Sequence, residues 1–261
     1  MAPVIVVLVP GAWHQPACMD QLRDELGKLG LHSVAVAHPS IGSTLQPRPN
    51  LADDVASLHR TIKRLADEGH LVTAMAHSYG GVVASGAAKG LGVAERGAAG
   101  QAGGITMMVY LAAFAIPAGQ SLLEAVGGVP PSWWDIRGDQ VFGDSPVISN
   151  PAEMLYHDLP RPAQDYWISQ LRPITTAVSE LPNTYEPWKH LSCTYILTEQ
   201  DRAIPLAAQE AMVAWMGEVT TARVNASHSP FLSMPGEVAR LVQHAVQEGL
   251  QKLPAERKAE M

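Results

Sequence analysis

Six short runs, apolar or β-branched, recur along this sequence, at residues 4–9, 33–37, 71–76, 105–111, 193–198 and 220–224, with helix-length stretches between most of them. Runs of that length, rich in Val, Ile, Leu and Ala and bounded by Gly, Pro or Asn, read as strands buried on both faces. Parallel strands cannot be joined by a tight turn and need a crossover, usually a helix. The alternation therefore predicts an α/β fold: a mostly parallel, doubly wound sheet of about six strands with helices on both faces. The clearest helix carries Leu51, Val55, Leu58, Ile62 and Leu65 at spacings of four and three, with Asn50 placed to cap its start and Gly69 to end it. Asp53, Asp54, Arg60, Lys63 and Arg64 read as its solvated face.

The rhythm fails between about residues 117 and 190, where prolines crowd the chain. A structureless loop of that length is improbable in a compact domain, so the segment reads as an inserted helical cap. It carries Trp133, Trp134, Tyr166, Trp167 and Trp188, aromatics that could line a pocket or fill an ordinary core. A chain of 261 residues that is 47% hydrophobic can bury a full core, and residues 1–261 are expected to form one domain.

Charge and cysteine content exclude several classes. The formal net charge is -7 and no Lys/Arg cluster runs along the chain, so neither nucleic acid nor an anionic membrane is an expected partner. The two cysteines, Cys18 and Cys193, are too few for a disulfide framework or a thiolate metal site. The apolar start is short, lacks a basic leader and is broken by Pro10-Gly11, so it reads as a strand rather than a signal or membrane segment. The expected location is cytoplasmic. Glu153, His157 and Asp158 lie close in sequence but lack the paired-histidine spacing of a zinc helix, and no metal is expected.

The chemistry concentrates in Ala76-His77-Ser78-Tyr79-Gly80, a serine between a strand and a helix with small residues two positions to either side. That is the pattern of a nucleophile elbow, where strand and helix approach closely and the hydroxyl projects free of the sheet. A serine hydroxyl needs a base within hydrogen-bond reach and a third group to orient that base. Asp201 follows the fifth apolar run and His228 follows the sixth, so both belong to the same C-terminal edge of the sheet as Ser78. The chain order Ser, Asp, His is the one this arrangement requires. Acyl transfer also needs oxyanion donors; the backbone N–H of Tyr79 supplies one, and that of Ala12, in the loop after the first strand, the other. Glu199 is the nearest rival to Asp201, and His14 and His77 sit beside the site in structural roles.

On LVPGAWH, AHSYGG, TEQDRAIP and ASHSPFLSMP, the chain resembles the α/β-hydrolase superfamily, in particular the branch of plant methyl esterases and hydroxynitrile lyases with related microbial esterases. The resemblance implies a six-stranded parallel core without two leading antiparallel strands. The lyases of that branch carry a threonine in the oxyanion loop and a lysine beside the catalytic histidine; Gly11, Ala12 and Ser229 stand there instead, which favours ester hydrolysis. Pro10 departs from the histidine often found before that glycine.

The expectation is therefore a cofactor-independent serine hydrolase that cleaves a small or medium carboxylic ester or lactone. A lyase, cyclase or acyl transferase on the same scaffold, or a ligand receptor with little turnover, are the alternatives, and a homodimer stays open.

Overall fold

The computed structural model describes residues 4–145, 147 and 149–253. Its centre is a six-stranded sheet in which every pairing is parallel, built from β1 (Val4–Val9), β2 (His32–Ala35), β3 (Leu71–His77), β4 (Gly104–Leu111), β8 (Cys193–Thr198) and β9 (Thr220–Val224) in the order β2-β1-β3-β4-β8-β9. Helices cover both sides of it. The Asp20–Lys28 helix packs on Pro235–Gln251, and the Leu51–Asp67 helix on Gly80–Ala87. The central strands β3 and β4 are buried along their whole length, as continuous apolar strands covered on two faces must be.

Local chemistry sets the element ends. Asn50 and Asp53 form a reciprocal capping box at the start of the Leu51–Asp67 helix, satisfying two N–H groups that would otherwise lack acceptors. Leu51, Leu58, Ile62 and Leu65 face the core, each contributing roughly 1.5–3 kcal/mol by leaving water. Asp54 corrects the expected solvated face, because it is fully buried. It lies three residues after Leu51 and four before Leu58, which puts it on the apolar stripe rather than opposite it.

Between β4 and β8 the chain leaves the sheet. The excursion holds helices Leu122–Ala125, Pro151–Leu155 and Arg161–Gln170, but also a small antiparallel sheet of β5 (Asp135–Arg137), β6 (Gln140–Phe142) and β7 (Ile174–Thr175). The expected cap is thus mixed rather than helical, because strands of two or three residues carry no readable period. A short helix, Val93–Ala98, also interrupts what reads in sequence as a Gly/Ala-rich connection.

One close approach fixes the turn after β3. A Cβ on Gly80 would lie 2.5 Å from the carbonyl oxygen of Pro10 and 2.6 Å from that of Val9, both backbone atoms at the end of β1. Gly80→Ala is therefore expected to cost about 1–3 kcal/mol through overpacking, read as a lower midpoint in urea unfolding; an unchanged midpoint would contradict the close packing.

Candidate active site

The loops after β1, β3, β8 and β9 leave the same C-terminal rim of the sheet. Ser78 lies on the loop after β3 in the left-handed region, at φ 53°. For a non-glycine residue that conformation costs roughly 1–3 kcal/mol and persists only where the surroundings impose it. Here the Ser78 carbonyl accepts from Gly81 N–H and Phe114 N–H, both at 3.0 Å. The side chain is nearly buried, and its hydroxyl makes no hydrogen bond to another described residue.

Asp201 and His228 meet directly. His228 Nδ1 lies 2.8 Å from Asp201 Oδ2, and since a carboxylate only accepts, Nδ1 carries the proton. Asp201 is held in turn: Oδ1 accepts from Ala203 N–H and Ile204 N–H at 2.8 Å, and Oδ2 accepts from the Thr198 hydroxyl at 2.9 Å. Gln209 spans the same turn, with Nε2 donating to Ile204 O at 2.8 Å. Glu199, the rival carboxylate, is exposed and outside the cluster. The structure thus brings Asp201 and His228 into contact and sets Ser78 on the same rim, without a Ser78–His228 hydrogen bond.

The loop after β1, the expected oxyanion loop, lies against the serine. A Cβ on Gly11 would be 2.8 Å from Ser78 Cβ and 2.8 Å from His77 Nδ1, so only glycine lets this backbone come so near. Neither Ala12 N–H nor Tyr79 N–H donates to another described residue. Pro10 keeps a role here through its carbonyl, which accepts from His38 Nε2 at 2.8 Å.

The Alpha/beta hydrolase family model matches residues 6–241. The chain belongs to that family. Among curated proteins, Alpha/beta hydrolase nvfD of Aspergillus novofumigatus (strain IBT 16806) is 29% identical over 251 residues, covering 94% of this chain and 98% of that protein. Among solved structures, a mutant of polyneuridine aldehyde esterase superposes with TM-score 0.74 at 16% identity, covering 93% of this chain and 98% of the other. A methylesterase protein from Arabidopsis gives TM-score 0.69 at 22% identity, covering 94% and 99%. Membership supports hydrolase chemistry in general.

Around this candidate site lie polar groups that sequence patterns did not single out. Asp54 accepts from Ser40 N–H at 2.9 Å, from the Ser40 hydroxyl at 2.5 Å and from the Tyr79 hydroxyl at 2.7 Å, all buried. Burial and the Asp54 carboxylate push the Tyr79 phenol well above its usual range, so it stays a neutral donor. The network anchors the side chain of the residue whose N–H follows Ser78. Its only sequence signal was the place of Asp54 on the apolar stripe.

His14 and His77 are buried and hydrogen-bonded beside the candidate site. The Tyr156 hydroxyl donates to His14 Nε2 at 2.7 Å, and His14 Nδ1–H donates to Ala12 O at 2.8 Å. His77 Nε2–H donates to His228 O at 2.8 Å, with the two rings 4.5 Å apart. Of the cap aromatics, Trp133 packs on Trp13 of the oxyanion loop at 5.7 Å, whereas Trp188 packs on Tyr110 and Tyr166 is exposed. Trp13 itself donates through Nε1 to Val141 O at 3.0 Å, tying that loop to β6. Glu153 and His157 turn to the loop after β8 and Asp158 to the loop after β9, and among the described residues no group of three or more His, Cys, Asp or Glu is arranged to hold a metal. No described helix is long and apolar enough to cross a membrane.

Burial lowers His14 to about 4 and His77 well below the ordinary imidazole range, the nearby histidines adding to the effect on both. Both are neutral when folded and take up a proton more readily when unfolded. Their contribution is complete above the unfolded value of about 6.5 and is lost as pH falls towards the folded values. Tm is expected to drop by several degrees from pH 6.5 to pH 4, with a shallower slope in His14→Gln, measured by calorimetry across that window.

Proposed function

We propose that this hydrolase is a serine esterase acting on a small or medium carboxylic ester or lactone through an acyl-enzyme. Ser78 Oγ attacks the carbonyl carbon while His228 Nε2 takes the hydroxyl proton. The carbonyl π electrons move onto oxygen, and the oxyanion accepts from Ala12 N–H and Tyr79 N–H. As the tetrahedral species collapses, the bond to the alcohol breaks and His228 returns its proton to the departing oxygen. Water then attacks the acyl-serine by the same path, giving the acid and free Ser78. Asp201 keeps the proton on Nδ1, so that Nε2 is the nitrogen available for this work. The scheme uses no metal or cofactor.

One conjunction carries this reading: a left-handed serine at a strand-to-helix turn, on the same sheet rim as a histidine whose Nδ1 is already engaged by a buried carboxylate. The two unengaged N–H groups beside the serine add the electrostatic half of the chemistry. The fold likeness to proteins described as esterases agrees with it. Catalytic hydrogen bonds often tighten only when substrate is bound, so a Ser78 hydroxyl free of hydrogen bonds is compatible with attack.

A fluorophosphonate should label Ser78, located by peptide mapping, and labelling elsewhere alone would overturn the assignment. Ser78→Ala should lower kcat on p-nitrophenyl esters by roughly four to six orders of magnitude. Asp201→Asn should lower it by roughly four while changing KM little, because the imidazole is then held in the wrong tautomer. In ¹⁸O-water the acid product should carry solvent oxygen; products without it would favour cyclisation, elimination or acyl transfer on the same scaffold.

A further inference from the structure

We propose that the cap segment at residues 153–158 is a clasp that holds the loops of the site in register, and that Asp158 is the positioning residue that aims His228. The inference rests on the serine esterase reading above and adds residues that reading does not use.

Within six residues the segment reaches three loops. Tyr156 holds the loop after β1: its hydroxyl donates to His14, and His14 donates to the carbonyl of Ala12, the residue whose N–H the esterase reading assigns to the oxyanion. On the acid loop, His157 Nε2–H donates to Gln200 O at 2.8 Å, while Glu153 forms an ion pair with Arg202. Asp201 lies between those two anchors in sequence. Asp158 holds the histidine loop, with Oδ2 accepting Ser227 N–H at 2.9 Å and Oδ1 accepting the Ser227 hydroxyl at 2.6 Å.

The Asp158 contact has the greatest leverage because of what it fixes. Ser227 immediately precedes His228 and is fully buried. On the other side of Ser227, the His228 carbonyl is fixed by His77 Nε2–H. The imidazole therefore swings from a backbone clamped at two successive residues, one clamp inside the sheet rim and one on the cap. Removing the carboxylate leaves the hydroxyl only the Leu155 carbonyl, at 3.2 Å, and leaves the buried Ser227 N–H without its charged acceptor, so that the loop must shift to satisfy it. A displacement of about 1 Å in a catalytic group can cost roughly 100-fold in rate.

The geometry also predicts which substitutions are tolerated. Asp158→Asn keeps an oxygen for the Ser227 N–H, and its amide can donate to the Ser227 hydroxyl, which rotates to accept. Asp158→Ala loses both bonds, and Ser227→Ala loses one.

The test measures the second-order rate of fluorophosphonate labelling at Ser78, kcat and KM on p-nitrophenyl acetate, and the downfield proton resonance of His228 Nδ1–H. All are measured on the full chain and its variants. Asp158→Ala should slow labelling and kcat by about 10- to 100-fold with KM changed far less, and should move or broaden the resonance. Asp158→Asn should stay within about threefold of the parent, and Asp158→Ala/Ser227→Ala should be no slower than Asp158→Ala alone. Parent-like labelling and resonance in Asp158→Ala overturn the clasp while leaving the esterase reading intact. Absence of Ser78 labelling in the parent chain overturns both. If Asp158→Ala does not fold, Ser227→Ala decides: slower labelling supports the clasp, and a parent-like rate overturns it.

Discussion

At the end of β3 the chain turns from strand to helix within two residues, and the carbonyls of Val9 and Pro10 crowd against Gly80 from the neighbouring strand. This contact leaves no room for a relaxed connection, so Ser78 takes the left-handed conformation while its own carbonyl is held by Gly81 and Phe114. Strain of this kind survives only inside a stiff frame, and here the frame is the ends of β1, β3 and β4 with the buried core beneath them. The approach of the Gly11 backbone to Ser78 follows from the same crowding, as does the anchoring of Tyr79 on Asp54. The groups that the proposed mechanism uses as nucleophile and oxyanion donors are thus placed around one packing contact.

The parallel sheet was legible because its signal is local and repeated. Strands buried on both faces must be apolar throughout, and the run at residues 193–198 coincides with β8 to the residue. Edges blur where side chains are half solvated, as at β2, which lies over residues 32–35 rather than 33–37. In the excursion after β4 the signal fails. Its strands β5 and β7 are three and two residues long, too short to show a period; β5 pairs with β6 in a tight hairpin, and β7 joins β6 from much later in the chain.

Site residues divide along the same line. Ser78, Asp201 and His228 stood out as candidates because each follows a recognisable strand and carries its own local motif, and the structure sets all three on one rim. Asp54 was misassigned although the information was present: its offset from Leu51 and Leu58 puts it among the buried positions, and its charge outweighed its phase in the reading. Tyr156 and Asp158 had no such signal, since the groups they bind are 142 and 69 residues away in the chain. Only the fold could reveal those contacts.

The excursion that forms the cap leaves from β4 and returns into β8, and these two strands are direct neighbours, paired from Met108 with Cys193 to Leu111 with Ile196. The scaffold therefore closes beneath the cap whatever length of chain is looped out between them. Lineages built on this plan can exchange or enlarge that segment, and with it the shape presented to a substrate, while the sheet assembles by the same pairings. Under the proposed clasp, any such change must re-tie the rim loops to the new segment, so that the freedom to vary is bounded at a handful of tether points rather than along the entire insert.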